Sequence, residues 1–199
     1  MTIKIKTLIA KSTRSTLHLV LLFNLAAAVP LLAQDVATTN NSGNRQATHQ
    51  EAVPSNLVQL VRQATQKFVD VNAATAAGYA PFLGCVTGQD HGAMGVHYVN
   101  GDVLNAGQIN ASQPQALIYE PLEGGKMQLV GVEFIVLAAP WLTNNNNTPP
   151  VLEGQVFNYV DSPNRFNIPA FFELHVWAWR DNPQGSFVDW NNRVSCAGE

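Results

Sequence analysis

His97, Glu133 and His175 are the residues of this chain best suited by type and setting to hold a metal ion. Each interrupts a run that otherwise reads as a strand: VHYVN around His97, MQLVGVEFIVL around Glu133 and FFELHVWAW around His175. A carboxylate or imidazole on a buried strand face must be paired, protonated or coordinated, because burying it alone is costly. Two neutral imidazoles and a carboxylate suit Zn, Fe, Mn, Ni or Cu, and three protein ligands leave positions open for water or substrate. Side chains alternate along a strand, so Glu173, His175, Trp177 and Trp179 are expected on one face of residues 171–179, and Phe172, Leu174, Val176 and Ala178 on the other. Glu173 then stands as a further ligand, an acceptor that orients His175, or the group that moves protons if the metal is catalytic. His91, in the Gly-rich stretch HGAMGVH, could join the same set as a helper ligand. Tyr98 is expected to face away from His97.

Other readings compete. His97 and His175 also fit as hydrogen-bonded core histidines, with Glu133 paired to Arg180 or Arg165. Trp177, Trp179 and Trp190 could line a groove for a glycan or small aromatic ligand, although indoles more often fill cores. Glu133 and Glu173 would imitate a glycosidase pair only at a suitable separation. There is no HExxH and no GxSxG, and neither cysteine reads as a reactive thiolate. Three functions remain in view: a divalent-metal protein, with or without catalysis; a non-catalytic binding module; and a cell-envelope interaction protein without a small ligand.

The elements that must position these residues start with a helix. Ser55 follows Pro54 as a cap, and Leu57, Leu60, Val61, Ala64 and Phe68 recur at helical spacing until Gly78. Short strands are expected at 96–100, 116–120, 127–137, 155–160, 171–179 and 186–190, with a hairpin loop at 122–126, a surface loop at 144–150 and an Asn-Pro-Gln-Gly turn at 182–185. One helix followed by strands, without βαβ alternation, predicts an α+β fold: an N-terminal helix on a mainly antiparallel sheet that curls towards a barrel.

Residues 1–33 read as a secretory signal peptide. Lys4, Lys6, Lys11 and Arg14 form a basic region without acids, an apolar stretch spans 17–28 and contains His18, and cleavage is expected after Ala33. That stretch falls short of the about 20 apolar residues of a membrane span. Residues 34–55, which include His49, are polar and read as a flexible linker, leaving 56–199 as a single domain. The leader carries four of the 11 basic residues and none of the 14 acidic ones, so seven basic against fourteen acidic residues leave the exported part at a formal −7. No Lys/Arg cluster offers a footprint for nucleic acid. Cys85 and Cys196, an even pair in an exported (secreted or periplasmic) chain, are expected to form a disulfide tying the C-terminus to the end of the first helix.

From Gly78 onward, GYAPFLGCVTG, GAMGVHYVNGDVL, ALIYEP, LVGVEFIV, SPNRFNIPAFFELHVWAWRDNPQGSFVDWN and the terminal VSC together resemble a family of small exported bacterial proteins of uncharacterised function. The resemblance implies an exported single domain with this order of segments, and no activity, cofactor or site residue. Histidine and glutamate on strands are also similar to cupins, but the close HxH pair is absent and no cupin assignment is made.

Overall fold

The computed structural model describes residues 54–199. The expected leader, with His18, and all but the last residues of the linker, with His49, lie outside the described residues. Ser55 caps the first helix, α1 (Asn56–Thr65), by accepting a hydrogen bond from the Val58 amide at 3.3 Å. The helix does not continue to Gly78 as expected. A 3-10 turn at Gln66–Val69 follows, and α2 (Val71–Ala76) starts afresh. Asp70 causes the break: its backbone leaves the helical region at φ −85°, ψ 112°, and its carboxylate accepts from the Asn72 amide at 2.9 Å. Gly78, at φ 89°, then ends the helical segment.

The strands are β1 (Tyr79–Gly88), β2 (Gly92–Asn100), β3 (Ala116–Leu122), β4 (Lys126–Leu137), β5 (Val151–Leu152), β6 (Gln155–Val156), β7 (Asn158–Val160) and β8 (Phe171–Val176). Six form one antiparallel sheet in the order β1-β2-β3-β4-β8-β7, which curls into a half-barrel, while β5 and β6 pair separately. Two short helices were not expected: α3 (Gly101–Asn105), capped by the Asn100 side chain, and α4 (Ala138–Asn144). With helices α1 and α2 against this sheet, the fold is α+β as the patterning implied.

Three strand expectations need correction. Residues 155–160 are two strands, separated at Phe157, which turns into the core and donates its amide to the Pro150 carbonyl at 3.1 Å. The strand from Phe171 ends at Val176, where the Ala178 amide bonds the Val176 carbonyl in a tight turn. Residues 186–190 are not a strand. Their carbonyls are taken singly instead: Ser186 by the Trp177 amide, Val188 by the Trp177 indole and Trp190 by the Asn182 side chain. The turn before them forms as expected, with Gly185 N–H bonded to the Asn182 carbonyl at 3.0 Å.

The helix-facing side of the sheet is the larger core. Leu117, Tyr119, Val132, Phe134, Val136, Phe172, Leu174 and Val176 meet Leu57, Val58, Val61, Phe68 and Ala74. Burial of each large side chain contributes roughly 1.5–3 kcal/mol. Polar links fix the helices in place: the Tyr119 hydroxyl donates to the Phe68 carbonyl at 2.6 Å, and the Trp179 indole to Thr65 Oγ1 at 3.0 Å. The opposite, concave face carries Ala116, Ile118, Val130, Ile135, Phe171 and Trp177, and the polar residues described next. Cys85 and Cys196 form a disulfide with a Cα–Cα distance of 5.6 Å. It ties the C-terminal segment to β1 rather than to the end of the first helix, because residue 85 lies within the strand after Gly78. Glu199 reinforces the tie by accepting from the Cys85 amide at 2.9 Å.

Candidate metal centre

His97 on β2, Glu133 on β4 and His175 on β8 converge on the concave face. Glu133 and His175 are direct partners across the β4–β8 ladder. His97 sits on the far side of β3, opposite Ile118. Three strand spacings would separate β2 from β8 by roughly 14 Å in a flat sheet. The curl of the sheet brings their side chains together. His97 Nε2 lies 3.3 Å from Glu133 Oε2 and 3.5 Å from His175 Nε2. All three residues are buried, His175 to 1% exposure. Ala116, paired with Glu133 on the intervening strand, adds little bulk between the converging rings.

These separations carry chemical meaning. Ligand atoms about 2.0–2.2 Å from a tetrahedral cation lie about 3.4 Å from one another. The observed 3.3 and 3.5 Å match that spacing, and both exceed an ordinary N–H···O bond of about 2.7–3.2 Å. Neither alternative partner engages Glu133. Arg180 pairs with Glu120, and Arg165 donates to the Thr87 carbonyl at 3.3 Å.

Burial sets the electrostatics of the centre. Desolvation pushes the His97 pKa down to about 4, with a backbone hydrogen bond at Gly95 opposing it. Desolvation, with His97 nearby, holds His175 well below its ordinary value. Both rings are therefore neutral and available as ligands at neutral pH. Desolvation and the neighbouring Glu173 raise Glu133 well above the carboxylate range. Glu173 itself is pushed up to about 7, chiefly by burial. The buried pair thus keeps a proton that a cation would displace.

A pocket of about 40 Å³ opens onto the cluster, with His97, Glu133 and Glu173 at its floor. Val86, Met94, Ile135 and Phe171 contribute to apolar walls, and Phe82 and Leu83 stand at the rim, 41% and 52% exposed. The volume admits about three water-sized groups. Leu83 holds φ 60°, within the irregular pairing between Phe82 and Val86 that bows β1 away from β2.

The structure also places residues that the sequence reading arranged differently. His91 is exposed in the β1–β2 turn and belongs to neither potential metal-ligand group. The three tryptophans do not share a face. Trp177 stacks beside His175 with ring centroids 6.1 Å apart, packing where a Cβ on Gly131 would lie 3.3 Å from its ring. Trp179 turns to the helix side, and Trp190 covers Gly88. The strand's end at Val176 breaks the alternation that predicted a common face.

Asp189 was missed. Its Oδ1 lies 3.7 Å from His175 Nδ1, and with Glu173 it completes a second group of potential ligands. Reading residues 186–190 as a strand hid it. The available signal was a lone carboxylate between Val188 and Trp190, shortly after the Asn-Pro-Gln-Gly turn.

Comparison of the chain with protein-family models, with curated proteins and with solved structures found no match.

Proposed function

We propose that this chain is an exported single-domain protein that binds a divalent transition metal (Zn, Fe, Mn, Ni or Cu) through His97 Nε2, His175 Nε2 and the Glu133 carboxylate. The observation that carries the reading is the convergence of three buried donors from three strands at 3.3 and 3.5 Å, the spacing of ligands around one cation. Three protein ligands leave a coordination position, and the small pocket above Glu133 and His97 gives access to it. The activity this arrangement supports is metal-assisted chemistry on a small molecule, the cation supplying polarisation of substrate or water. Glu173 lines the same pocket, placed to accept and return a proton beside the cation. Export is supported by the leader-like residues 1–33, by the Cys85–Cys196 disulfide and by the resemblance to exported bacterial proteins. Among the described residues no helix is long and apolar enough to cross a membrane.

Cobalt titration tests this reading. Co(II) added to metal-free protein should produce the visible absorption of a low-coordinate histidine–carboxylate site. His97→Ala should abolish that absorption while leaving the near-ultraviolet circular dichroism of the fold. Absence of the absorption in the wild type, at saturating Co(II), would contradict it.

A further inference from the structure

His175 presents its two ring nitrogens to two different sets of donors. Nε2 faces His97 and belongs with Glu133, as described above. Nδ1 faces Asp189, and the ligand atoms of Glu173, His175 and Asp189 all lie within 4.8 Å of one another. His175 is 1% exposed, and its Nδ1 has no hydrogen-bond partner among the described residues. The 3.7 Å to Asp189 Oδ1 is too long for a hydrogen bond but close to the about 3.4 Å between two ligands of one tetrahedral cation. Asp189 is held in this position by the Asn158 side chain, which donates to its Oδ1 at 3.2 Å. Its side chain is 31% exposed, so solvent reaches the second group at Asp189.

We propose that His175 Nδ1, Asp189 and Glu173 hold a second divalent transition-metal cation, so that the His175 ring bridges a two-metal centre. This rests on the reading of the first site. Binding the second cation removes the remaining ring proton of His175 to solvent and leaves an imidazolate between the metals, with no change in oxidation state. Two dications are then matched by that imidazolate and the carboxylates of Glu133, Glu173 and Asp189, which makes the buried centre neutral.

The test uses the mature, disulfide-bonded protein loaded with Cu(II) and passed through gel filtration, with copper counted by elemental mass spectrometry and spins by electron paramagnetic resonance. Two coppers per chain with most of the spin intensity lost to coupling through the ring are expected. Asp189→Asn should reduce the count to one and restore one full spin. One copper in the wild type, unchanged in Asp189→Asn, would overturn the second site and leave the first standing. No retained copper would overturn both. Two coppers giving two independent spins would overturn the bridge. The wild-type spin count is decisive even if the variant failed to fold.

Discussion

Glu133 and His175 are direct cross-strand partners on β4 and β8, on the concave face of the curled sheet. A buried glutamate opposite a buried histidine would be an ion pair if the histidine were charged, but burial keeps this ring neutral. The pairing therefore stabilises little by itself. Its chemistry is that of two donors awaiting a cation, and the following expectations derive from that.

Replacing Glu133 separates binding from folding. Glu133→Gln removes an anionic ligand and should weaken transition-metal affinity by at least about 100-fold, the upper end of losses seen for groups that only support a ligand. The metal-free variant should be no less stable than the wild type at pH 8, because an amide needs no buried charge there. Isothermal titration with Zn(II), alongside urea unfolding, reads both quantities.

Metal-free stability should peak in mildly acidic solution. His97 has its pKa lowered from 6.5 to about 4, so the unfolded chain takes up its proton first and stability falls as pH drops from 6.5 towards 4. Glu173 has its pKa raised from 4.5 to about 7, so the unfolded chain loses its proton first and stability falls as pH rises from 4.5 to 7. Only the acid contributes above 6.5 and only the histidine below 4.5. His175 and Glu133 act in the same directions. Urea midpoints measured with a chelator should be highest between pH 4.5 and 6.5, and Glu173→Gln should flatten the decline above 6.5. A midpoint that climbs steadily to pH 8 would contradict this.

Gly95 shapes the approach of His97. It holds φ 96° at the irregularity in the β1–β2 pairing, two residues before the histidine, and a Cβ there would lie 2.7 Å from the Tyr119 carbonyl oxygen. Gly95→Ala should cost more than about 1 kcal/mol in unfolding free energy. It should also weaken metal binding, since the displaced strand carries His97. Unfolding by urea and a zinc titration on the same variant measure the two effects.

Opening the disulfide should act on stability rather than on the ligand set. Cys85 and Cys196 are 111 residues apart in sequence and stand outside the cluster. Loss of the closed loop in the Cys85→Ser/Cys196→Ser double variant should cost about 2–5 kcal/mol. Metal stoichiometry measured well below the lowered melting midpoint should be unchanged.

Much of this architecture can be read from alternation and punctuation. The β3–β4 hairpin, the cap at Ser55, the end at Gly78 and the burial of Glu133, Glu173 and His175 all follow from local pattern. The convergence of His97 on the pair across β3 depends on sheet curl, which a linear pattern does not encode. Asp70 interrupted a helix whose apolar spacing was intact, by offering the backbone a competing hydrogen bond. Residues 186–190 carry strand-like composition, yet their carbonyls serve side chains and one amide of a neighbouring turn. That tertiary choice brought Asp189 to His175, while the end of the strand at Val176 sent Trp179 away from Trp177.

The most direct measurement is the metal content of untagged mature protein, purified without chelator from an exported source and analysed by elemental mass spectrometry. One equivalent or more of a transition metal per chain is predicted, lost in His97→Ala and His175→Ala proteins that keep their fold. No bound metal, even after reconstitution with Zn, Mn, Fe, Ni and Cu, would contradict the account.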